Sequence, residues 1–202
     1  MPFASEIEPV SPGVLIWRFY DPSIKADLFS TVLETATGAY LIDPIPLAPE
    51  AVASFARRVK IAGIIVTNEN HERAAAQFAE EFKVSVYVDA ALASATGLPA
   101  VAVIQELAAD LTAVEIEGGP AGEIAVHFAG GDGTMVMGDA LINFEPYGFA
   151  LLPAKYCSNF KVMRRSLAKL LDYSFDRMLF AHGMPILSQA RQRLEQLLKE
   201  HR

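Results

Sequence analysis

The sequence predicts a layered sandwich of the α/β or α+β class. Three observations carry this. Segments of helical and strand period are interspersed along the chain. Two stretches, one early and one in the middle, are rich in strands. At least one strand, Ile61–Val66, is a short and wholly apolar run of the kind buried on both faces.

The elements follow in order. Val14–Tyr20, Ser30–Thr35 and Ala39–Ile42 are β-branched and aromatic runs, parted by turn formers such as Asp21-Pro22 and Thr37-Gly38. Pro49 suits the first position of a helix in which Val52, Phe55, Ala56 and Val59 share one face. After Ile61–Val66 a second helix is expected over Glu72–Phe82, with Ala75, Phe78, Ala79 and Phe82 inward, and then a strand at Val84–Val88. Strands return at Val101–Ile104, Ala113–Ile116, Glu123–Phe128 and Thr134–Met137, with a hairpin turn at Gly130–Gly133. Tyr156–Leu171 carries Phe160, Met163, Leu167, Leu170 and Leu171 at helical spacing. A strand at Arg177–Phe180 and a helix from about Ser188, burying Ala190, Leu194, Leu197 and Leu198, complete the order. No linker, charge block or repeat interrupts it, so a single domain over residues 1–202 is expected.

Composition narrows the function classes. A hydrophobic fraction of 52% supplies a substantial core and leaves room for a homodimer interface. A net charge of −7 speaks against nucleic acid as the main partner. Met1–Val10 holds Glu6 and Glu8 and lacks the basic start of a signal peptide. No apolar run reaches the roughly 18 residues of a membrane span, so a cytoplasmic protein without membrane contact is expected. The single Cys157 excludes an intramolecular disulfide and Cys-rich zinc modules. Any metal site must therefore draw on His71, His127, His182, His201 and carboxylates. His127 lies in an apolar strand and reads as a packed or solvent-facing residue, and His201 as an exposed terminal one.

Several motifs fall away. Gly130–Gly133 lies between strands and does not open a helix, so it is no phosphate loop. Ser158-Asn159-Phe160-Lys161 and Ser166-Leu167-Ala168-Lys169 match a serine-nucleophile pattern but lack its partner motifs. In the second, Ser and Lys read as sharing an exposed helix face. Cys157 has no histidine near it in sequence and reads as a core or half-buried thiol.

Three strand ends stand apart. They are Thr67-Asn68-Glu69-Asn70-His71-Glu72-Arg73, Gly138-Asp139 and Ala181-His182-Gly183. Ligands of open sheets gather at the carboxyl ends of strands, so together these make a site candidate. Its pocket residues are Asn68, Asn70, His71, Glu72, Arg73, Asp139 and His182, with Glu72 and Asp139 as candidate catalytic carboxylates. The bland readings are Asn70 as a helix N-cap, Glu72 and Arg73 as a solvated first turn, and His182 as a cap on its strand.

These segments resemble the metallo-β-lactamase superfamily, the αββα metallohydrolases that include glyoxalase II. Leu41-Ile42-Asp43-Pro44 looks like its early strand ending in Asp. Ile64-Ile65-Val66-Thr67 followed by Asn68–Arg73 aligns with its T-H-x-H-x-D-H signature. Gly118-Gly119-Pro120-Ala121-Gly122-Glu123 looks like its G-H-T-P-G segment. Met137-Gly138-Asp139-Ala140 looks like the strand ending in a metal-bridging Asp, and Leu179-Phe180-Ala181-His182-Gly183 like the final G-H-G. The resemblance covers nearly the whole chain and implies an α+β fold, a four-layer αββα sandwich.

It also implies a two-metal hydrolase, with five histidines and two aspartates as ligands. Here Asn68 and Asn70 stand for the first two histidines, Glu72 for the signature Asp, Arg73 for the next histidine and Gly119 for the middle one. Only Asp139 and His182 match their ligands, while Asp43 matches a residue that supports the loop. Neutral asparagine is a poor substitute for imidazole, and a catalytic zinc usually takes three protein ligands. Asp139 and His182 are therefore expected as an empty remnant, and no cofactor is expected. Zinc or another divalent metal at a single weak site is the alternative. Arg73 is expected to replace metal charge by pairing with Asp139 or Glu72. A one-residue shift could bring His71 inward beside Glu72, Asp139 and His182, but adjacent residues on a helix diverge, so this is set below the absence of a tight site.

The expected function is a non-catalytic binding or assembly protein for an unknown small molecule. The alternative is a single-metal hydrolase of an ester, thioester or phosphoester, with Glu72 accepting the proton. A third reading is metal-free catalysis, with Glu72 as base and Arg73 as clamp.

Overall fold

Strict two-residue alternation in the strands sorts their side chains into three separate cores. The structure, a computed structural model, describes residues 3–23, 25–93, 97–98, 101–103 and 107–200. The first sheet has seven strands in sequential order: β1 (Glu8–Ser11), β2 (Val14–Asp21), β3 (Ala26–Thr35), β4 (Gly38–Ile42), β5 (Ile61–Ile65), β6 (Val86–Val88) and β7 (Val101–Val103). The pairs up to β3–β4 are antiparallel and those from β4–β5 onward are parallel. The second sheet is built from β8 (Leu111–Glu115), β9 (Ile124–Phe128), β10 (Thr134–Met137) and β13 (Arg177–Phe180), in the order β13-β10-β9-β8. Between β10 and β13 in sequence, β11 (Leu141–Phe144) and β12 (Gly148–Leu151) form a separate hairpin.

The alternation shows in β4. Ala39 and Leu41 join the core under helices α1 (Pro49–Ala56) and α2 (Ala75–Phe82), where Val52, Phe55 and Phe78 also pack. Tyr40 and Ile42 face the other way and meet Ile124, Val126, Val136 and Leu179 of the second sheet. On the far side of that sheet, Met135, Met137, Met178 and Phe180 pack against Met163 and Leu167 of α4 (Phe160–Leu167) and Leu194 of α5 (Ala190–Glu200). The layers are therefore helix, sheet, sheet, helix. A short helix α3 (Ala90–Ala93) adds Leu92 to the first core.

The differences from expectation are local. The helix expected from Glu72 begins at Ala75, because residues 69–74 turn instead of coiling. The helix expected over Tyr156–Leu171 divides into a 3-10 turn at Ala154–Tyr156, α4 and a 3-10 extension at Ala168–Asp172. Asn159 starts α4 by accepting a hydrogen bond from the Val162 N–H at 3.2 Å. The hairpin β11–β12 was not anticipated. Ser166 does not lie on an exposed face: it is buried, and its hydroxyl accepts from the Glu117 N–H and donates to the Glu115 carbonyl. Lys169 pairs instead with Glu117, at 2.6 Å. His127 is buried, with Nε2 2.9 Å from the Ser174 carbonyl. Ile104 and His201 lie outside the described residues. Among the described residues no helix is long and apolar enough to cross a membrane.

Candidate metal centre

Four strands end at the same edge of the sandwich. β4 runs into Asp43, β5 into Thr67 and Asn68, β10 into Gly138 and Asp139, and β13 into Ala181 and His182. Backbone hydrogen bonds join the two sheets there, from Phe29 N–H to the Ala181 carbonyl at 3.0 Å and from Ile124 N–H to the Thr67 carbonyl at 2.9 Å. Two glycines make the close approach feasible. A Cβ on Gly138 would stand 2.8 Å from both Thr67 Oγ1 and Glu123 Oε1. Gly183 adopts a φ of +101°, and a Cβ there would collide with the Asn143 carbonyl.

The turn after β5 brings His71 to the centre of this edge, with only 2% of it exposed. Its Nδ1 lies 3.0 Å from Asp43 Oδ2 and 2.9 Å from Thr67 Oγ1. Asp43 is buried in turn and accepts from the Thr67 backbone N–H at 2.8 Å and from the Thr67 hydroxyl at 2.6 Å. On the other side, His71 Nε2 lies 3.3 Å from Asp139 Oδ1 and 3.4 Å from His182 Nε2. His182 Nε2 is 3.4 Å from the same Asp139 oxygen.

Three metal-ligand atoms, two imidazole nitrogens and a carboxylate oxygen, thus form a nearly equilateral triangle. Around a tetrahedral zinc with bonds of about 2.0–2.1 Å, ligand atoms lie roughly 3.3–3.4 Å apart. The triangle fits that spacing. His71, Asp139 and His182 are also the group of His, Cys, Asp and Glu side chains whose ligand atoms converge closely enough to hold an ion, among the described residues. The Asp43 carboxylate behind His71 Nδ1 is the outer partner that ligating histidines commonly have, and it leaves Nε2 directed at the cluster.

Electrostatics divide the group. Burial would depress His71, but Asp43 and Asp139 outweigh it and raise its pKa to about 9. Burial would raise Asp139, but the charge and hydrogen bond of His71, with His182 and Arg73, hold it well below the carboxylate range. Asp43 is likewise lowered against its burial, chiefly by His71. Burial takes His182 down to about 4, so its imidazole is neutral near pH 7.

Beside this triangle lies a second buried carboxyl that sequence reasoning did not single out. Glu123, 1% exposed, accepts from the Asn68 amide at 2.7 Å and from the Ala140 N–H at 2.8 Å. Burial, with Asp139 adding to it, raises its pKa to about 8, so it carries a proton at neutral pH. The same Asn68 nitrogen reaches Asp139 Oδ2 at 3.1 Å. The available signal was an acid directly after a Gly-rich turn, opening the apolar strand that includes Ile124–Phe128.

Asn70 is exposed, and its N–H donates to Asn68 Oδ1 at 2.9 Å. Glu72 is half-buried and stands outside the converging group, so the third member is His71 and not Glu72. The expectation that His71 would diverge assumed a helix that has not yet begun at this point. Arg73 forms no ion pair with Asp139 or Glu72. Its backbone, at φ +39°, delivers Nη1 to the carbonyls of Phe29 at 2.7 Å and Asp43 at 3.0 Å, where it ties the turn to β3 and β4. Cys157 Sγ rests near the Leu152 and Pro153 carbonyls and Met163 Sδ, and burial raises its pKa, as suits an inert thiol.

Two sheets face to face, helices outside, and a His–Asp–His group where the strands end define a metallohydrolase-type αββα sandwich. The chain belongs to the metallo-beta-lactamase superfamily, whose family model matches residues 9–200. Similar solved structures include the DIM-1 metallo-beta-lactamase, 14% identical over 100% of this chain and 99% of that one, with a TM-score of 0.76. A metallo-beta-lactamase from Pontibacter korlensis is 16% identical over 96% and 98%, with a TM-score of 0.72. FIM-1 from Pseudomonas aeruginosa, in its mono-zinc form, is 12% identical over 99% and 96%, with a TM-score of 0.70. At these identities the likeness speaks for the fold. A comparison with curated proteins finds no match.

Proposed function

We propose that this protein is a hydrolase of esters, thioesters or phosphoesters that works with a single divalent metal, zinc being the first choice. His71, Asp139 and His182 would hold the ion. The observation that carries this reading is their triangle of 3.3, 3.4 and 3.4 Å, with Asp43 fixed behind His71. Three protein ligands and an open position are the pattern of catalytic zinc. FIM-1, which shares this fold, has a mono-zinc form, in keeping with one ion here. When bound, such an ion supplies Lewis acidity and makes water nucleophilic near pH 7.

The chain's own residues set the stage for that chemistry. With an ion bound, Asp43 would hold the one remaining proton of His71 on Nδ1 and leave the Nε2 lone pair for the ion. Asn68 occupies Asp139 Oδ2 and leaves Oδ1 toward the two histidines. The depressed pKa of His182 keeps that imidazole unprotonated and ready to coordinate. Asp139 and His182 also line a cavity of about 270 Å³, through which a substrate reaches the cluster. Hydrolysis adds the oxygen of water to the acyl carbon or phosphorus and breaks the bond to the leaving oxygen or sulfur. The leaving group departs with a proton from water.

One observation favours a second reading, the non-catalytic protein expected from sequence. The His71 pKa of about 9 allows an imidazolium bridging Asp43 and Asp139 in place of a metal. Elemental analysis of protein purified without a metal-affinity tag separates the two. The hydrolase reading expects about one equivalent of a transition metal per chain, lost in His71→Ala, Asp139→Ala and His182→Ala, together with turnover of model esters. Wild-type protein that stays metal-free after incubation with zinc, manganese or iron overturns it.

A further inference from the structure

The cavity over the cluster has a composition that the metal centre does not explain. Beyond Asp139 and His182 its walls are Ala26 at the start of β3, Ile142 and Phe144 of the β11–β12 hairpin, Tyr147 at the hairpin turn, and Leu152, Pro153 and Tyr156 on the segment leading to α4. The side chains of these residues are hydrocarbon apart from the two phenol oxygens. Phe144 and Tyr147 meet edge to face, 5.7 Å between centroids. Tyr147 and Tyr156 are 56% and 57% exposed, so two large aromatic side chains stand in water at the mouth of a site. Such exposure costs hydrophobic free energy unless something covers the rings.

Charge is equally distinctive. Among the described lining residues there is no lysine or arginine, and the one fixed charge is the Asp139 carboxylate. The neighbouring cations do not line the cavity, and Lys155 stands at its rim beside Tyr156 and Tyr147. Arg73 Nη1 is committed to two backbone carbonyls. Lys155 Nζ sits over the Tyr156 ring, 4.6 Å from its centroid, and lines a different cavity. Away from the metal-binding edge, an anionic group would be desolvated without a partner from these walls, at substantial cost. At about 270 Å³ the space lies just below the range of roughly 300–1,000 Å³ typical of drug-sized ligands. It suits one ring or a short branched chain.

Resting on the hydrolase reading above, we propose that this cavity is the binding subsite for an uncharged, ring-bearing apolar group. The substrate is then a neutral aromatic or similarly bulky ester, and not a substrate that carries a carboxylate on this side. The rings of Phe144, Tyr147 and Tyr156 supply the contact, by the stacked or edge-on packing that aromatic groups favour.

The test uses the full chain freed of metal with a chelator, so that binding is read without turnover. Methyl phenylacetate and its free acid, phenylacetate, share the ring and differ in charge. Titration is followed by the Ile142 and Leu152 methyl signals in a carbon–proton correlation spectrum. The ester is expected to shift these signals and saturate, with the acid binding at least tenfold more weakly. Tyr156→Ala and Tyr147→Ala each weaken the ester three- to tenfold while metal uptake stays at the wild-type level. Equal or tighter binding of the acid overturns the proposal, as does ester binding that neither tyrosine variant changes. A protein that binds the ester but takes up no metal sinks the hydrolase reading and supports the subsite. One that takes up metal but binds no ester sinks the subsite alone.

Discussion

The edge where the strands end has two sides, and they are built in opposite ways. On one side His71, Asp139 and His182 bring three ligand atoms within 3.4 Å of one another. On the other, Asn68 and Glu123 satisfy each other, and the Ala140 N–H takes the remaining carboxyl oxygen. The first side gathers atoms that a metal would bind. The second has spent its polar atoms on internal hydrogen bonds, at the position where the family resemblance would put an imidazole ligand. One half of the pocket thus presents converging ligand atoms while the other half is packed polar core.

This contrast can be broken most directly on the coordinating side. Asp139→Ala or His182→Ala should lower metal affinity by more than about 100-fold, because two ligands rarely hold zinc. Equilibrium dialysis with elemental analysis measures it, and retention of one equivalent in either variant would move the site elsewhere. Asp43→Asn should cost about 10–100-fold in metal affinity, the usual effect of removing an outer carboxylate, with the three ligands intact. A chelator competition titration reads this.

On the packed side the expected loss is in folding and not in coordination. Asn68→Ala leaves a Glu123 oxygen without its donor and should destabilise the protein by about 1–3 kcal/mol in denaturant unfolding. The pH dependence of the metal-free protein sharpens the same point. His71 keeps its proton up to about pH 9 in the folded state, against an ordinary value of 6.5, and Glu123 up to about pH 8, against 4.5. The unfolded chain releases both protons earlier, so Glu123 lowers folding stability as pH rises from 4.5 to 8 and His71 from 6.5 to 9. Between about 4 and 6.5 His182, lowered from 6.5 to about 4, acts in the opposite direction, so the net fall is expected above pH 6.5. Glu123→Gln should flatten the first part of that slope, and metal loading the second, as seen in melting temperature against pH. A rise in stability over pH 7–9 would contradict both assignments. The smallest effect belongs to Asn70→Ala. Its side chain is exposed, and the change should stay within about 0.5 kcal/mol and leave metal uptake untouched.

Much of the fold was legible because burial leaves a simple trace. Ile61–Val66 reads as a doubly covered strand, and β5 lies between β4 and β6 under α2. The β11–β12 hairpin was not legible, since four-residue strands around Glu145-Pro146-Tyr147 offer too few alternations to register. In the site, Asp139 and His182 stood out as polar residues directly after apolar strands. His71 was misjudged for a geometric reason. Its neighbours could pass for a first helical turn, and only the observed start of α2 at Ala75 shows that the chain is still turning there. Glu123 was hidden because an acid at the head of an apolar strand ordinarily reads as a solvent-facing residue. Its partners, Asn68 and the Ala140 N–H, lie 55 and 17 residues away. Arg73 was recognised as an interior cation, but its carbonyl partners on β3 and after β4 depend on a backbone φ of +39° that sequence does not reveal.

The three ligand atoms do not belong to one sheet. His71 follows β5 of the first sheet, whereas Asp139 and His182 follow β10 and β13 of the second. An ion held by all three would be a cross-link through the middle of the sandwich, fastening two layers that otherwise meet through side-chain packing and a few backbone bonds. Its binding energy would then count toward keeping the halves together, by about 2.7 kcal/mol at a free concentration 100 times the dissociation constant. Occupancy of the centre becomes readable as resistance to unfolding, before any substrate is known.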